Sequence, residues 1–499
     1  MSQKVLVAGT GISGIAAAKL LLAQGGEVVL YDGNEKLSAE ELKKNFDEGA
    51  KVSVILGELK KLDLSGVELC VISPGISLEA PFVAVLDEAR VPIWSEIELA
   101  YHCSQGKLIA ITGTNGKTTT NNMLCAGLEA EGKKVICNHT GSNMLNGVVA
   151  AFVLGAKFSG KLDADYACIE VDEASTRHVF TRIRPDYMVM TNLFRDQLDR
   201  YGEIDITMNI LEEMMKKVPD MKVIVNGDDA LSAYLAMDCG NPFVTYGISK
   251  PVIENKTNEI REGRFCKCCG ERLIYSFYHY SQLGDYRCPK CGFKRPEIDF
   301  DATDVKVDDQ IAFTVEDKRI VANYKGFYNV YNILAAYAGI RTAGFKAEHF
   351  NEMLRKFNPE NGRNEQFRIK GTSVVLNLAK NPAGFNQNIS AVMQDGSPKD
   401  IIIVINDNAQ DGKDISWLWD VDFDLFGGDN INSITVSGIR CQDMRLRLKY
   451  VDIPSMLEND VETAIRKRIG DGCGNLYVLV NYTALFGTRN ILKKLEGEK

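Results

Sequence analysis

The sequence predicts a three-domain α/β protein built on parallel sheets, and three observations carry that prediction. Its 499 residues exceed what a single core organises, at roughly 150 residues per domain. Short β-branched runs alternate with helix-length segments along most of the chain, the pattern of βα units. One of these runs, Leu108–Thr112, passes straight into a glycine-rich turn and a helix expected from about Lys117.

Residues 1–105 form the first unit, with strands expected at Val5–Ala8, Val28–Tyr31, Val52–Leu56 and Cys70–Ile72. Gly9, Gly11 and Gly14 follow the first strand as G-x-G-x-x-G, and Asp32 ends the second, the spacing of a dinucleotide fingerprint. A lone fingerprint is a weak signal. The second unit, 106–345, loosens from 231 to 325 around a group of cysteines and closes on a helix over Tyr331–Thr342. The third, 346–499, has strands near Thr372–Asn377, Ile401–Ile405, Ser433–Ser437 and Tyr477–Val480, and a helix expected from about Ile415.

Composition excludes several classes. The longest apolar runs fall well short of the ~18 residues of a membrane span, and the first residues enter a strand pattern without the features of a signal peptide. A cytoplasmic chain is expected. A net charge of −9 argues against general affinity for nucleic acid, so any phosphate site is built locally. Of the 13 cysteines, those scattered singly read as small core residues in a reducing compartment.

That local phosphate site is expected in LIAITGTNGKTTT, at Gly113, Thr114, Asn115, Gly116, Lys117, Thr118 and Thr119. Glycines let backbone N–H groups wrap phosphate oxygens at a helix N-terminus, a lysine reaches the β/γ-phosphates, and a threonine hydroxyl ligates Mg²⁺. ATP is the expected nucleotide. Cys266-x-x-Cys269 and Cys288-x-x-Cys291 are two C-x-x-C pairs 18 residues apart, each followed by a glycine. Four thiolates at this spacing suit a closed, structural Zn²⁺ ribbon inserted at about 264–294, with Cys268 spare.

GTNGKTTT, Glu170 in CIEVDEAS, Asn192 and Asp196 in TNLFRDQLDRYGE, Asn226 to Asp229 in VNGDD, Gly326 to Asn332 in GFYNVYN and Gly362 to Glu365 in NGRNE together resemble the muramyl ligase superfamily. The resemblance implies that Glu170 helps hold Mg²⁺, Asn329 contacts adenine and Arg363 lies near the phosphates. Asp172 and Glu173 are close enough to Glu170 to be the metal ligand instead. Gln197 stands where amino-acid-adding members carry a His, and Glu212 where they carry a carbamylated lysine. FRDQLDRYGE, the cysteine ribbon, LNLAKNPAGFNQ and INDNAQDGKDISWLWDVDFD resemble instead the MurT group, over residues 106–499. Residues 1–105, through SPGIS and WSEIELA, resemble the first domain of the MurD group.

What the MurT resemblance implies is ATP-dependent amidation of the D-glutamate α-carboxyl of lipid II to D-isoglutamine through an acyl phosphate, in peptidoglycan biosynthesis. Ammonia would come from a glutaminase subunit resembling GatD, since the chain's own histidines lie far from any glutaminase-like cysteine motif. Lys380 would sit near the ATP phosphates. Asp414, with Asp411 second, would orient the partner's catalytic His, beside Trp417 and Trp419 as buried anchors. Contact with a membrane is expected only through the lipid-linked substrate, whose linkage the sequence leaves open. The MurD resemblance implies the alternative, addition of D-glutamate to UDP-N-acetylmuramoyl-L-alanine. A non-catalytic scaffold would lack the combination of Lys117, Thr118 and Glu170.

Overall fold

The structure is a computed structural model that describes residues 3–73, 76–96, 98–99, 106–139, 141–155, 163–194, 204–252, 262–308, 310–324, 326–357, 363–408 and 411–498. Its frame is three sheets in chain order. The first has five parallel strands with Lys4–Ala8 at the centre, flanked by Glu27–Asp32 and Val52–Leu56 on one side and Val67–Ile72 and Ile93–Ser95 on the other.

The second sheet has seven parallel strands, in the order Phe300–Asp301, Phe243–Gly247, Lys222–Asn226, Tyr187–Met190, Lys107–Thr112, Tyr166–Glu170, Val135–Cys137. Both of its faces are covered, which is why its strands are continuous apolar runs. The period of two sorts Ile109 and Ile111 into one core, and Leu108 and Ala110 into the other. Helices Lys117–Ala130 and Tyr328–Thr342 pack together over the first core at small residues. A Cβ on Gly127 would stand 2.3 Å from Ile340 Cδ1, so a larger residue there would make the Ile340 side chain move. The helix expected from Tyr331 begins one turn earlier, at Tyr328.

In the third sheet, Arg363–Ile369 is an antiparallel edge on Thr372–Leu378, followed by parallel strands Asn475–Val480, Lys399–Val404, Ile431–Ser437 and Met456–Leu457. The helix expected from Ile415 is a short 3₁₀ segment, Ser416–Asp420. Arg447 meets the end of this turn. Its guanidinium donates to the carbonyls of Leu418 and Val421 at 3.1 and 2.7 Å, and so ties the segment to helix Cys441–Lys449. The tighter turn also corrects the reading of the tryptophans. Trp417 is buried at 9% exposure, whereas Trp419, two residues on in a threefold helix, is half exposed.

The cysteine insertion is a hairpin, Ile274–Tyr280 and Leu283–Arg287, with outlying bridges Phe265 to Arg272 and Arg287 to Lys294. One of its faces packs Leu273, Tyr286, Cys266 and Cys288 on Ala230 and Ala233. Buried polar groups fix it further. Asp228 accepts from Arg295 at 2.7 Å, from the Ile248 N–H at 2.9 Å and from the Tyr331 hydroxyl at 2.7 Å. Asp229 caps helix Ala230–Asp238 and accepts from Gln282 and from the Leu193 N–H. The VNGDD run is thus the joint between insertion, sheet and helix.

Candidate nucleotide and carboxylate site

The phosphate loop lies where theory of open α/β sheets puts a ligand, at the carboxyl ends of neighbouring parallel strands. Thr112 leads into Gly113, Glu170 ends the next strand on one side, and Asn192 follows the strand on the other. Gly113 and Gly116 have φ of +117° and +83°, and a Cβ on Gly113 would stand 2.7 Å from the Asn192 carbonyl oxygen. Side chain and loop lock reciprocally: the Asn115 N–H donates to Asn192 Oδ1 at 2.9 Å, and Asn192 Nδ2 donates to the Asn115 carbonyl at 3.1 Å.

Lys117, Glu170, Asp172 and Glu173 are each at least nine-tenths buried, one ammonium among three carboxyl groups. Lys117 Nζ pairs with Glu173 Oε2 at 2.9 Å and donates to the Gly113 carbonyl. Burial pulls the Lys117 ammonium down, but the Glu173, Asp172 and Glu170 carboxylates outweigh it and hold the lysine above its ordinary value. Asn143 donates to Glu170 Oε1 at 2.8 Å, while the buried Glu170 Oε2 has no hydrogen-bond partner among the described residues. A Cβ on Gly141 would stand 3.1 Å from Thr118 Oγ1 and 3.7 Å from Glu170 Oε2, so both oxygens open onto one small space. An orphaned carboxylate oxygen and a hydroxyl at one space fit a hard divalent cation.

A cavity of about 580 Å³ joins this loop to the third sheet. Thr114, Asn115, Gly116, Lys117, Thr118, Thr119, Glu170, Asp172, Asn329 and Lys380 line it, and Glu173 does not. One contact across the cavity is an amide pair, in which Asn381 Nδ2 donates to Asn115 Oδ1 at 3.1 Å. Asn381 also caps helix Pro382–Gln394. Sequence reasoning missed Asn381, Asn143 and Asn332. The Asn-Pro step of Asn381 signals a helix cap, but nothing signals its reach to the phosphate loop. Asn332 lies inside the recognised GFYNVYN run, donates to Asn329 Oδ1 at 3.0 Å and stands where a Cβ on Gly116 would clash.

Other expected residues lie elsewhere. Glu212 forms an i,i+4 pair with Lys216 on a helix surface and does not line the cavity. Asp411 is buried and held by the Asn408 and Thr483 N–H groups, whereas Asp414 is partly exposed and accepts from the Ser416 N–H at 2.8 Å. Asp196 and Gln197 lie outside the described residues, as does the side chain of Arg363.

In the insertion, the four expected sulfurs lie within 4.8 Å of one another, with Cys266 to Cys291 at 3.4 Å and Cys269 to Cys288 at 3.5 Å. A tetrahedron of thiolates about 2.3 Å from zinc has edges of ~3.8 Å, so the donor set fits. Burial opposes ionisation of Cys288, but the Cys291 and Lys290 N–H groups draw its thiol down to about 6. In the first sheet, Gly9 and Gly14 make the tight fingerprint turn, but Asp32 is occupied, accepting from Thr10 Oγ1 at 2.7 Å and from the Asn34 N–H.

Comparison with known proteins agrees with this geometry. Residues 111–340 match the Mur ligase middle domain, 378–485 the MurT ligase C-terminal domain, and 3–95 the Mur ligase MurD-like N-terminal domain. Subunit MurT of a glutamine-hydrolysing lipid II isoglutaminyl synthase from Staphylococcus aureus is 36% identical over 380 residues, 76% of this chain and 85% of that protein. The Streptococcus pneumoniae MurT is 32% identical, over 77% of this chain and 87% of that one. A UDP-N-acetylmuramoylalanine–D-glutamate ligase from Lachnospira eligens is 48% identical over 119 residues, 24% of this chain and 26% of that protein. Among solved structures, a pseudomurein peptide ligase type C from Methanothermus fervidus shares the fold over 99% of this chain and 100% of its own, with a TM-score of 0.65 at 22% identity. With three matching domains and MurT relatives aligned over most of their length, the chain belongs to the Mur ligase family of ATP-dependent ligases, with MurT among its relatives.

Proposed function

We propose that this chain is the synthetase subunit of a lipid II isoglutaminyl synthase, amidating the α-carboxyl of a peptidoglycan D-glutamate to D-isoglutamine. The observation that carries the reading is the buried, unpartnered Glu170 Oε2 beside Thr118 in the cavity between two sheets, in a chain 36% identical to a MurT. Domains at 1–105, 106–345 and 346–499 divide the work. ATP lies along residues 113–119 with adenine towards Asn329, and Lys380 and Arg363 reach the phosphates from the third domain. Thr118 and Glu170 hold Mg²⁺, with Asp172 as the further ligand, and the ion supplies positive charge to the phosphate oxygens. The substrate carboxylate oxygen attacks the γ-phosphorus and ADP leaves. Ammonia then attacks the acyl carbon, and phosphate departs with the former carboxylate oxygen.

Glu173 is the counter-ion of Lys117 rather than a metal ligand, since it pairs with that ammonium at 2.9 Å and, unlike Lys117, does not line the cavity. The ammonium exchanges this carboxylate for phosphate oxygens when nucleotide binds. Ammonia comes from a glutaminase partner resembling GatD, whose His is oriented by the partly exposed Asp414 and not by the internally bonded Asp411. The four cysteines hold structural Zn²⁺. A second reading, D-glutamate addition to UDP-N-acetylmuramoyl-L-alanine, is favoured by the MurD-like match over residues 3–95. The surface ion pair of Glu212, at the position of the carbamylated lysine, weighs against it.

The two readings separate by mass. With ATP, ammonium and lipid II, the purified chain is expected to give a product about 1 Da lighter, and Lys117→Ala to lose this turnover by at least ~100-fold with its fold intact. A product heavier by one glutamate, from the UDP sugar, would overturn the amidation. Asp414→Ala is expected to abolish glutamine-dependent but not ammonium-dependent amidation in the presence of the partner; equal loss of both would remove its assigned role. Glu173→Gln, by freeing Lys117 and removing a negative charge beside the phosphates, is expected to tighten ADP binding by about fivefold to tenfold in calorimetry. Weaker binding would exclude the exchange. Cys288→Ser is expected to lower zinc content by one equivalent in elemental analysis and to lower the thermal midpoint, because the ribbon packs on Ala230 and Ala233.

A further inference from the structure

The two faces of the cysteine ribbon differ. Burial alternates along its strands, with Leu273, Tyr286 and Cys288 inward and Arg272, Ile274 and Arg287 outward. Cross-strand partners share a face, so the pairs Phe265 with Arg272, Ile274 with Arg287, and Arg287 with Lys294 place all five side chains on the outer one. Phe265 is 56% exposed and Ile274 47%. Arg272, Arg287 and Lys294 are exposed, and none has an ion-pair partner among the described residues. Two bare apolar side chains ringed by three cations stand out on a chain whose net charge is −9.

We propose that this face docks the protein on an anionic phospholipid bilayer. Apolar side chains enter the headgroup boundary while flanking cations meet lipid phosphates, the combination that holds peripheral proteins on membranes. The choice of a bilayer over an acidic protein rests on the reading above that the acceptor is lipid-linked. Geometry agrees with it. Strand Ile274–Tyr280 starts on this face, and Tyr280 lines the nucleotide cavity. Seven residues rising about 3.3 Å each set Ile274 about 20 Å along the strand from Tyr280.

The test uses the purified full chain in co-sedimentation with vesicles of phosphatidylglycerol and phosphatidylcholine, without acceptor, against vesicles of phosphatidylcholine alone. Binding to the anionic vesicles, lost in ~0.5 M salt, is expected. Each of Arg272→Ser, Arg287→Ser and Lys294→Ser is expected to lower partitioning about fivefold. Phe265→Ser with Ile274→Ser lowers it further. Absence of binding, equal binding to neutral vesicles, or competition by single-stranded RNA at equal strength would overturn the proposal. The salt dependence of the unmodified chain decides the matter should the variants fold poorly. Amidation of detergent-dispersed lipid II is measured in parallel. Vesicle binding without amidation would sink the lipid II reading and leave the docking face, whereas amidation without vesicle binding would do the reverse.

Discussion

The central constraint is a charge imbalance kept out of water. Lys117 is surrounded by Glu170, Asp172 and Glu173, all buried at the carboxyl ends of the middle sheet. Burying an ion costs several kcal/mol unless it is paired and hydrogen-bonded. One ammonium answers one carboxylate, and the 2.9 Å pair with Glu173 is that answer. Asn143 serves one oxygen of Glu170 and leaves the other bare. The arrangement is incomplete by itself, and a divalent cation would complete it.

Other features follow from holding this cluster in place. The loop that carries Lys117 turns through two positive-φ glycines, and the Asn192 and Asn332 side chains fill the space beside them. Asn138 accepts from the Glu170 N–H and donates to its carbonyl, at 2.8 Å each, and so fixes the end of that strand. A buried amide bonded through both its oxygen and its nitrogen holds the strand end rigidly. The third sheet presents its own carboxyl ends to the same cavity, through Lys380 and the Asn381 to Asn115 amide pair.

Legibility in the sequence followed locality. The strands were readable because parallel sheets covered on both faces demand continuous apolar runs, and their observed ends lie within two or three residues of the expected ones. The phosphate loop and the four cysteines were readable because each is a contiguous motif whose geometry is set by its own spacing. What was hidden depends on distant residues. The Lys117 to Glu173 pair spans 56 positions and the Asn115 to Asn381 pair 266. The segment after the 3₁₀ turn at Ser416–Asp420 is tied down by Arg447, about thirty residues later, through the carbonyls of Leu418 and Val421.

The first sheet shows what a local motif fixes by itself. Its glycines do what a dinucleotide fingerprint requires, since a Cβ on Gly14 would stand 2.0 Å from the Gly9 carbonyl oxygen. The acidic residue that would hold a ribose is instead spent on Thr10, within the same loop. Ser73 approaches the turn and donates to Glu96 at 2.5 Å, and burial holds the Glu96 carboxyl above its usual range. The glycines of the first turn are therefore accounted for by close backbone packing, and those of the second by the Asn192 and Asn332 groups that fill the space beside them.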